Sequence, residues 1–166
     1  MRTGVETIRL AGMQDLEALC RLYYDFHEFH VRGVPDRLVN LGDGEAFDDS
    51  QLRAALEKIV ADDDGALFVA EAGNQIVGLA EVYVRQDEPH PERVSRRYGY
   101  LQSLMVHESF RRQGIGRRLA EVAQEWAGEK GATEMRLDTW EFPASPLGFY
   151  ECLGYRTLRR TLVQEL

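Results

Sequence analysis

The stretch "ESFRRQGIGRRLAEVAQEW", Glu108 to Trp126, decides how the rest of the chain is read. Arg111, Arg112, Arg117 and Arg118 are packed around Gly114-Ile115-Gly116, in a chain of net charge -8. Ile115, Leu119, Val122, Ala123 and Trp126 recur at helical spacing, which predicts a helix beginning near Gly114. The apolar run before it, ending at Met105 and Val106, reads as a strand. The arginines therefore fall in a strand-to-helix loop and the first helical turn. There the first backbone N–H groups have no helical acceptor, and the macrodipole adds about half a positive charge. Glycine lets an oxygen-rich group approach the backbone without meeting a Cβ. Arginine surrounds that group with positive charge. The combination is an anion cradle suited to a diphosphate.

Working outward, "VETIRLAG" reads as a short first strand with Val5, Ile8 and Leu10 apolar. Asp15 opens a helix carrying Leu16, Leu19, Cys20, Tyr23 and Tyr24, which ends before Gly33 and Pro35. "VNLGDGEAFDD" is a polar loop, and Ser50 starts a second helix with Leu52, Leu56, Ile59 and Val60 on one stripe. "GALFVAEAGNQIVGLAEVYV" predicts a hairpin around Ala72-Gly73-Asn74. "YGYLQSLMV" predicts a central strand and "TEMRLDTW" a fifth one. "SPLGFYECLGY" predicts a short helix, and "YRTLRRTLVQEL" a final strand. The class is α/β or α+β, a mixed sheet of six to seven strands with helices on both faces. A chain of 166 residues is expected to form a single domain, 1–166.

Composition narrows the partners. At 44% apolar and 29% charged the chain is of ordinary globular type, with no apolar run near the ~20 residues of a membrane span. No secretory signal is evident in "MRTGVETIRLAG", so a cytoplasmic location is expected. Cys20 and Cys152 are expected as free thiols. Residues 1–92 hold 19 acidic and 8 basic residues, net -11; residues 93–166 hold 9 and 12, net +3. An acidic half and a basic half suit a cation and an anion respectively. The overall acidity opposes nucleic-acid binding by the four arginines.

Known anion loops differ in the residues after their glycines. A Walker A loop needs Lys and Ser/Thr where Arg117-Arg118 stand, and a dinucleotide fingerprint needs a third Gly where Leu119 stands. The pattern Arg111-x-x-Gly114-x-Gly116 resembles the acyl-CoA signature of the GNAT superfamily of N-acetyltransferases. Phe149-Tyr150-x-x-x-Gly154-Tyr155 resembles that family's second signature, and the element order is similar over nearly the whole chain.

That resemblance implies acetyl-CoA as cosubstrate, lying where two central parallel strands splay apart. Backbone groups of Met105 and Val106 would pair with the pantetheine arm. Amides of Arg112, Gln113, Gly114, Ile115, Gly116 and Arg117 would hold the diphosphate, with Arg111 and Arg112 flanking it. Tyr150 matches the family's acid toward the departing thiolate. Glu81, in an otherwise apolar strand, faces the cleft, a cation or solvent, and is the candidate base. His107 is a weaker candidate. Two departures stand out: Gln102 where relatives often carry an acid, and Pro143 where they often carry an Asn that bonds the pantetheine, for which Ser145 is the candidate substitute. Asp25, His27, Glu28 and His30 lack a third convergent ligand, so no metal is expected. "YYDFHEFH" and the acidic loop of Asp43, Glu45, Asp48 and Asp49 are read either as a groove for a cationic amine or as solvated surface. The resemblance points to acetyl transfer onto a small-molecule or protein amine, and dimers are frequent in the family. The other reading is a non-catalytic acyl-CoA-binding regulatory module, which the lack of an acid at Gln102 favours and Tyr150 opposes.

Overall fold

The run "GALFVAEA" is too apolar to present either face to water, and it lies deep in the sheet. The computed structural model describes residues 7–40 and 50–166. Strands β1 (Thr7–Leu10), β2 (Gly65–Ala72), β3 (Gln75–Gln86), β4 (Arg97–Val106) and β5 (Glu134–Arg136) form one sheet in the order β1-β2-β3-β4-β5. The first four pair antiparallel and β4 pairs parallel with β5, so the sheet is mixed. Helix α3 (Ile115–Glu129) covers one face through Ile115, Leu119, Ala123 and Ala127, joined by Tyr150 of α4 (Leu147–Cys152). Helices α1 (Leu16–Gly33) and α2 (Ser50–Val60) cover the other, where Leu19, Leu56 and Ile59 pack on Leu67, Val69, Leu79 and Met105. The fold class is the expected one.

One residue shapes the middle of the sheet. Glu81 pairs with Ser103 and Val82 with Leu101, so Gln102 is an extra residue on β4. Such a bulge bends its strand and sharpens the local twist. Pairing of β4 with β5 stops at Tyr100–Arg136, just before the bulge, while β4 runs on to Val106. The two strands therefore part company, as the resemblance implied. The closed end of this V is clamped by Arg136, whose Nη1 and Nη2 donate to Asp87 Oδ1 and Oδ2 at 2.7 and 2.9 Å. Arg136 also lies 3.9 Å from the Tyr98 ring centroid. Such a forked, two-bond pair fixes orientation as well as distance.

Among the described residues the strand count is five instead of six to seven. The fifth strand is limited to Glu134–Arg136 because the chain after it leaves β4 at the V. The expected final strand over 155–166 does not form: those residues pair with nothing in the sheet, and beyond Tyr155 all are exposed. Cys20 and Cys152 are not joined in a disulfide. The acidic loop of Asp43, Glu45, Asp48 and Asp49 lies outside the described residues, as does Val5.

Candidate active site

The anion cradle is built by backbone conformation. After β4 a short turn at Glu108–Phe110 leads to Arg112, at φ 64, and Gly114, at φ 81. Left-handed backbone is costly for a side-chain-bearing residue, so Arg112 marks a loop held by its surroundings. Gly114 is the residue preceding α3, and the first helical bond runs from Arg118 N–H to Gly114 C=O at 3.1 Å. The N–H groups of Ile115, Gly116 and Arg117 consequently have no acceptor in the helix. Arg112, Gln113, Gly114 and Arg117 are exposed around them. Gly116 answers a different need: a Cβ there would sit 3.3 Å from the Phe149 ring, so its absence lets α4 close on α3.

The open end of the V supplies the next group. His107 N–H bonds the Val77 carbonyl at 2.8 Å, so strand alternation turns the backbone of Val106 away from β3, into the gap. Met105 pairs with Leu79 and lines the cleft. Arg111 is tied to the end of β4. Its Nε donates to the Val106 carbonyl at 2.9 Å, and its guanidinium lies 5.7 Å from the Phe29 ring centroid. This leaves the Val106 N–H as the polar group offered to the gap.

A cavity of about 700 Å³ opens beside the end of β4. Met105, His107, Glu108 and Arg111 form one wall, Asp25, Phe29 and Arg32 of α1 another, and Phe142, Pro143 and Ala144 the third. Phe29 and Phe142 meet with ring centroids 5.6 Å apart. Pro143 lines the cavity, whereas Ser145 is half-buried in a turn whose N–H bonds the Phe142 carbonyl at 2.9 Å. His107 both lines the cavity and accepts the Ser109 N–H at 3.3 Å through Nδ1, which holds the turn. His27 and His30 bond the carbonyls of Val39 and Phe26, each at 2.8 Å. Among the described residues no cluster of three metal-type ligands occurs. Among them, no helix is long and apolar enough to cross a membrane.

The two candidate catalytic groups have opposite surroundings. Tyr150 is buried on the α3 face between the rings of Phe149 and Tyr155, at centroid distances of 5.3 and 5.7 Å. Burial pushes its pKa up to about 12, so it keeps its proton at neutral pH. Glu81, on the α1 face, accepts from three hydroxyls: Tyr23, Tyr83 at 2.8 Å and Ser103 at 3.0 Å. Neither it nor Tyr150 is among the residues lining the cavity. Burial, then the charge of Glu81, raises the pKa of both tyrosines, so both stay donors. The cage joins α1, β3 and β4 at the bulge.

Matches to known proteins agree with this geometry. The family model "Acetyltransferase (GNAT) family" matches residues 16–155. The chain belongs to the GNAT acetyltransferase family. It is 30% identical over 149 residues to an uncharacterized N-acetyltransferase, YhfO, of Bacillus subtilis, covering 89% of this chain and 88% of that one. It is 30% identical over 115 residues to aminoglycoside N(6')-acetyltransferase type 1 of Salmonella typhimurium, covering 69% and 78%. Among solved structures it is similar to AAC(6')-Iy in complex with the bisubstrate analogue CoA-S-monomethyl-acetylneamine. There the identity is 26%, the TM-score 0.70, and the coverage 96% and 97%.

The sequence alone did not reveal the Arg136–Asp87 clamp, because those partners lie 49 positions apart. Nor did it reveal the hydroxyl cage. The only signal for it was that Tyr23, Glu81, Tyr83 and Ser103 are polar or amphipathic residues within apolar stretches.

Proposed function

We propose that this GNAT family member transfers an acetyl group from acetyl-CoA to a primary amine of a cationic acceptor. The observation that carries the reading is the row of acceptor-free amides at the head of α3, placed at the mouth of a splayed strand pair. The amides of Ile115, Gly116 and Arg117, with Arg112 beside them, would hold the diphosphate. The Val106 N–H would pair along the pantetheine arm or face the thioester oxygen, where negative charge develops. Pro143 offers no side-chain donor there, and Ser145 is the nearest candidate donor in sequence. Bound acetyl-CoA supplies an acetyl group activated as a thioester.

The chain's own groups handle the acceptor. Asp25 and Glu108 draw a cationic amine into the cavity, and the Phe29 and Phe142 faces suit its positive charge. A Lys-type amine, with a pKa of about 10.4, must lose a proton before it attacks. His107, at the end of β4 and lining the cavity, is the group we assign to take it. As the new N–C bond forms and the C–S bond breaks, Tyr150 gives its proton to the sulfur. Glu81, committed to three hydroxyl donors outside the cavity, positions α1 and the bulge. The likeness to aminoglycoside acetyltransferases supports a polyamine-type acceptor. The test is thiol release from acetyl-CoA with aminoglycosides, linear polyamines and lysine. Amine-dependent turnover is expected. CoA binding without turnover for any amine would instead support a regulatory module.

A further inference from the structure

Gly33 is the last residue of α1, yet it does not take the left-handed backbone that commonly calls for a glycine at a helix end. A close approach requires it instead. A Cβ there would lie 2.6, 2.6 and 2.7 Å from three ring carbons of Phe142, closer than packed atoms come. The Phe142 ring therefore fills the space that a side chain at position 33 would need. Its other neighbours on α1 are Phe29 and His30, at centroid distances of 5.6 and 6.2 Å. His30 is itself tied to the Phe26 carbonyl, and the Phe142 carbonyl is held by the Ser145 N–H at 2.9 Å. The chain around Phe142 has left the sheet after Arg136 and enters α4 at Leu147. The ring thus reaches from the segment between β5 and α4 across to the end of α1. Gly33, Phe29 and Phe142 all line the cavity.

We infer that Phe142, seated on Gly33, determines acceptor specificity by setting how bulky an amine the cavity admits. The inference rests on reading this cavity as the acceptor site, and it narrows the acceptor to linear aliphatic amines. A lone surface aromatic swings aside for a large ligand. This ring is backed by α1 backbone on one side and by the Phe29 and His30 rings on others, so a branched or ring-bearing acceptor meets a wall. An unbranched chain does not: its methylenes lie along the Phe29 and Phe142 rings while its ammonium groups meet Asp25 and Glu108 on the other walls. Any side chain at position 33 would evict the ring and remove the limit.

The test is a double-mutant cycle of Gly33→Ala and Phe142→Ala in the full chain, read in two ways. The first needs no substrate. Either substitution should speed hydrogen exchange at the Ser145 amide about tenfold with unchanged circular dichroism, and the two together should do no more than one. The second is acetylation of kanamycin, a ring-bearing amine, against cadaverine, a linear one. Phe142→Ala should raise the ratio of kcat/KM for kanamycin to that for cadaverine by about tenfold or more, through KM for kanamycin and not KM for acetyl-CoA. Phe142→Trp should lower the same ratio. Additive exchange effects, or a Ser145 amide indifferent to Phe142→Ala, would overturn the seat on Gly33. A kanamycin-to-cadaverine ratio unmoved by Phe142→Ala would overturn the specificity role. A parent chain that acetylates neither amine, nor any other offered, would sink the acetyl-transfer reading instead, with the exchange cycle still deciding the seat.

Discussion

Tyr150 and Glu81 sit on opposite faces of one sheet, and each is a titratable group in an otherwise apolar setting. Tyr150 is enclosed by rings, and among the described residues its hydroxyl makes no hydrogen bond. Glu81 has three donors. A buried phenol with a free hydroxyl is ready to serve a ligand atom, whereas a carboxylate already serving three hydroxyls holds structure together. The difference teaches that partners, more than residue type, separate a reactive group from a scaffold group. On the proposed reading the cosubstrate lies toward α3 and α4, while the Glu81 cage braces α1 against the sheet.

The sharpest way to break that contrast is Tyr150→Phe. It should lower kcat on the order of 10²-fold, the low end of general-acid contributions, with KM for acetyl-CoA nearly unchanged. Because the phenol's pKa is pushed up to about 12, it stays protonated throughout the usual assay range, so no alkaline limb below about pH 10 should belong to it. Equal losses in kcat and acetyl-CoA affinity would remove its assigned role.

Next in size is Gly114→Val. Its Cβ would meet no neighbour, so any effect comes from backbone at φ 81. Strain of about 1–3 kcal/mol should reshape the loop and weaken CoA binding roughly tenfold, read by calorimetry. Unchanged affinity would separate the loop conformation from anion binding.

Glu81→Gln tests the other side of the contrast. An amide cannot accept from all three hydroxyls, so stability should fall by about 1–3 kcal/mol, with kcat in the folded enzyme changing only a few-fold. At this chain length that is roughly 2–12 °C in Tm. A 10²-fold loss of kcat with an unchanged melting curve would make Glu81 the base instead.

The smallest effect belongs to an ion pair that steadies α1 from outside. Asp15 is buried and takes Arg9 Nη1 and Nη2 at 2.7 and 3.0 Å, and the Arg9 bond holds its pKa below the ordinary carboxylate range. A depressed folded-state pKa stabilises above the unfolded value of about 3.9 and loses that contribution as pH falls through the lower folded value. Asp15→Asn should therefore lower stability by about 1–2 kcal/mol at pH 7, with the gap closing below pH 4 in urea titrations. A gap constant down to pH 2 would contradict the pairing.

Much of this is legible in the chain. The Gly114 helix, the hairpin around Gly73 and the helix after Asp15 all announce themselves through local periodicity and turn residues. Arg111 reads as a neighbour of the diphosphate, and its bond to the Val106 carbonyl is a contact that no local pattern displays. A buried carboxylate needs a partner, and that need makes Glu81 read as a cleft residue. The partners it finds are hydroxyls up to 58 positions away. The last segment reads as a strand from its composition, but a strand also requires pairing, and among the described residues it pairs with none.

On the proposed reading, cosubstrate binding depends first on the amides at the head of α3. Hydrogen exchange of the Arg112–Arg117 amides, followed residue by residue with and without CoA, measures them directly. CoA is predicted to slow exchange at Ile115, Gly116 and Arg117 at least tenfold, while amides at the open β5 edge stay unaffected. Binding heat with no protection at those three positions would contradict the claim.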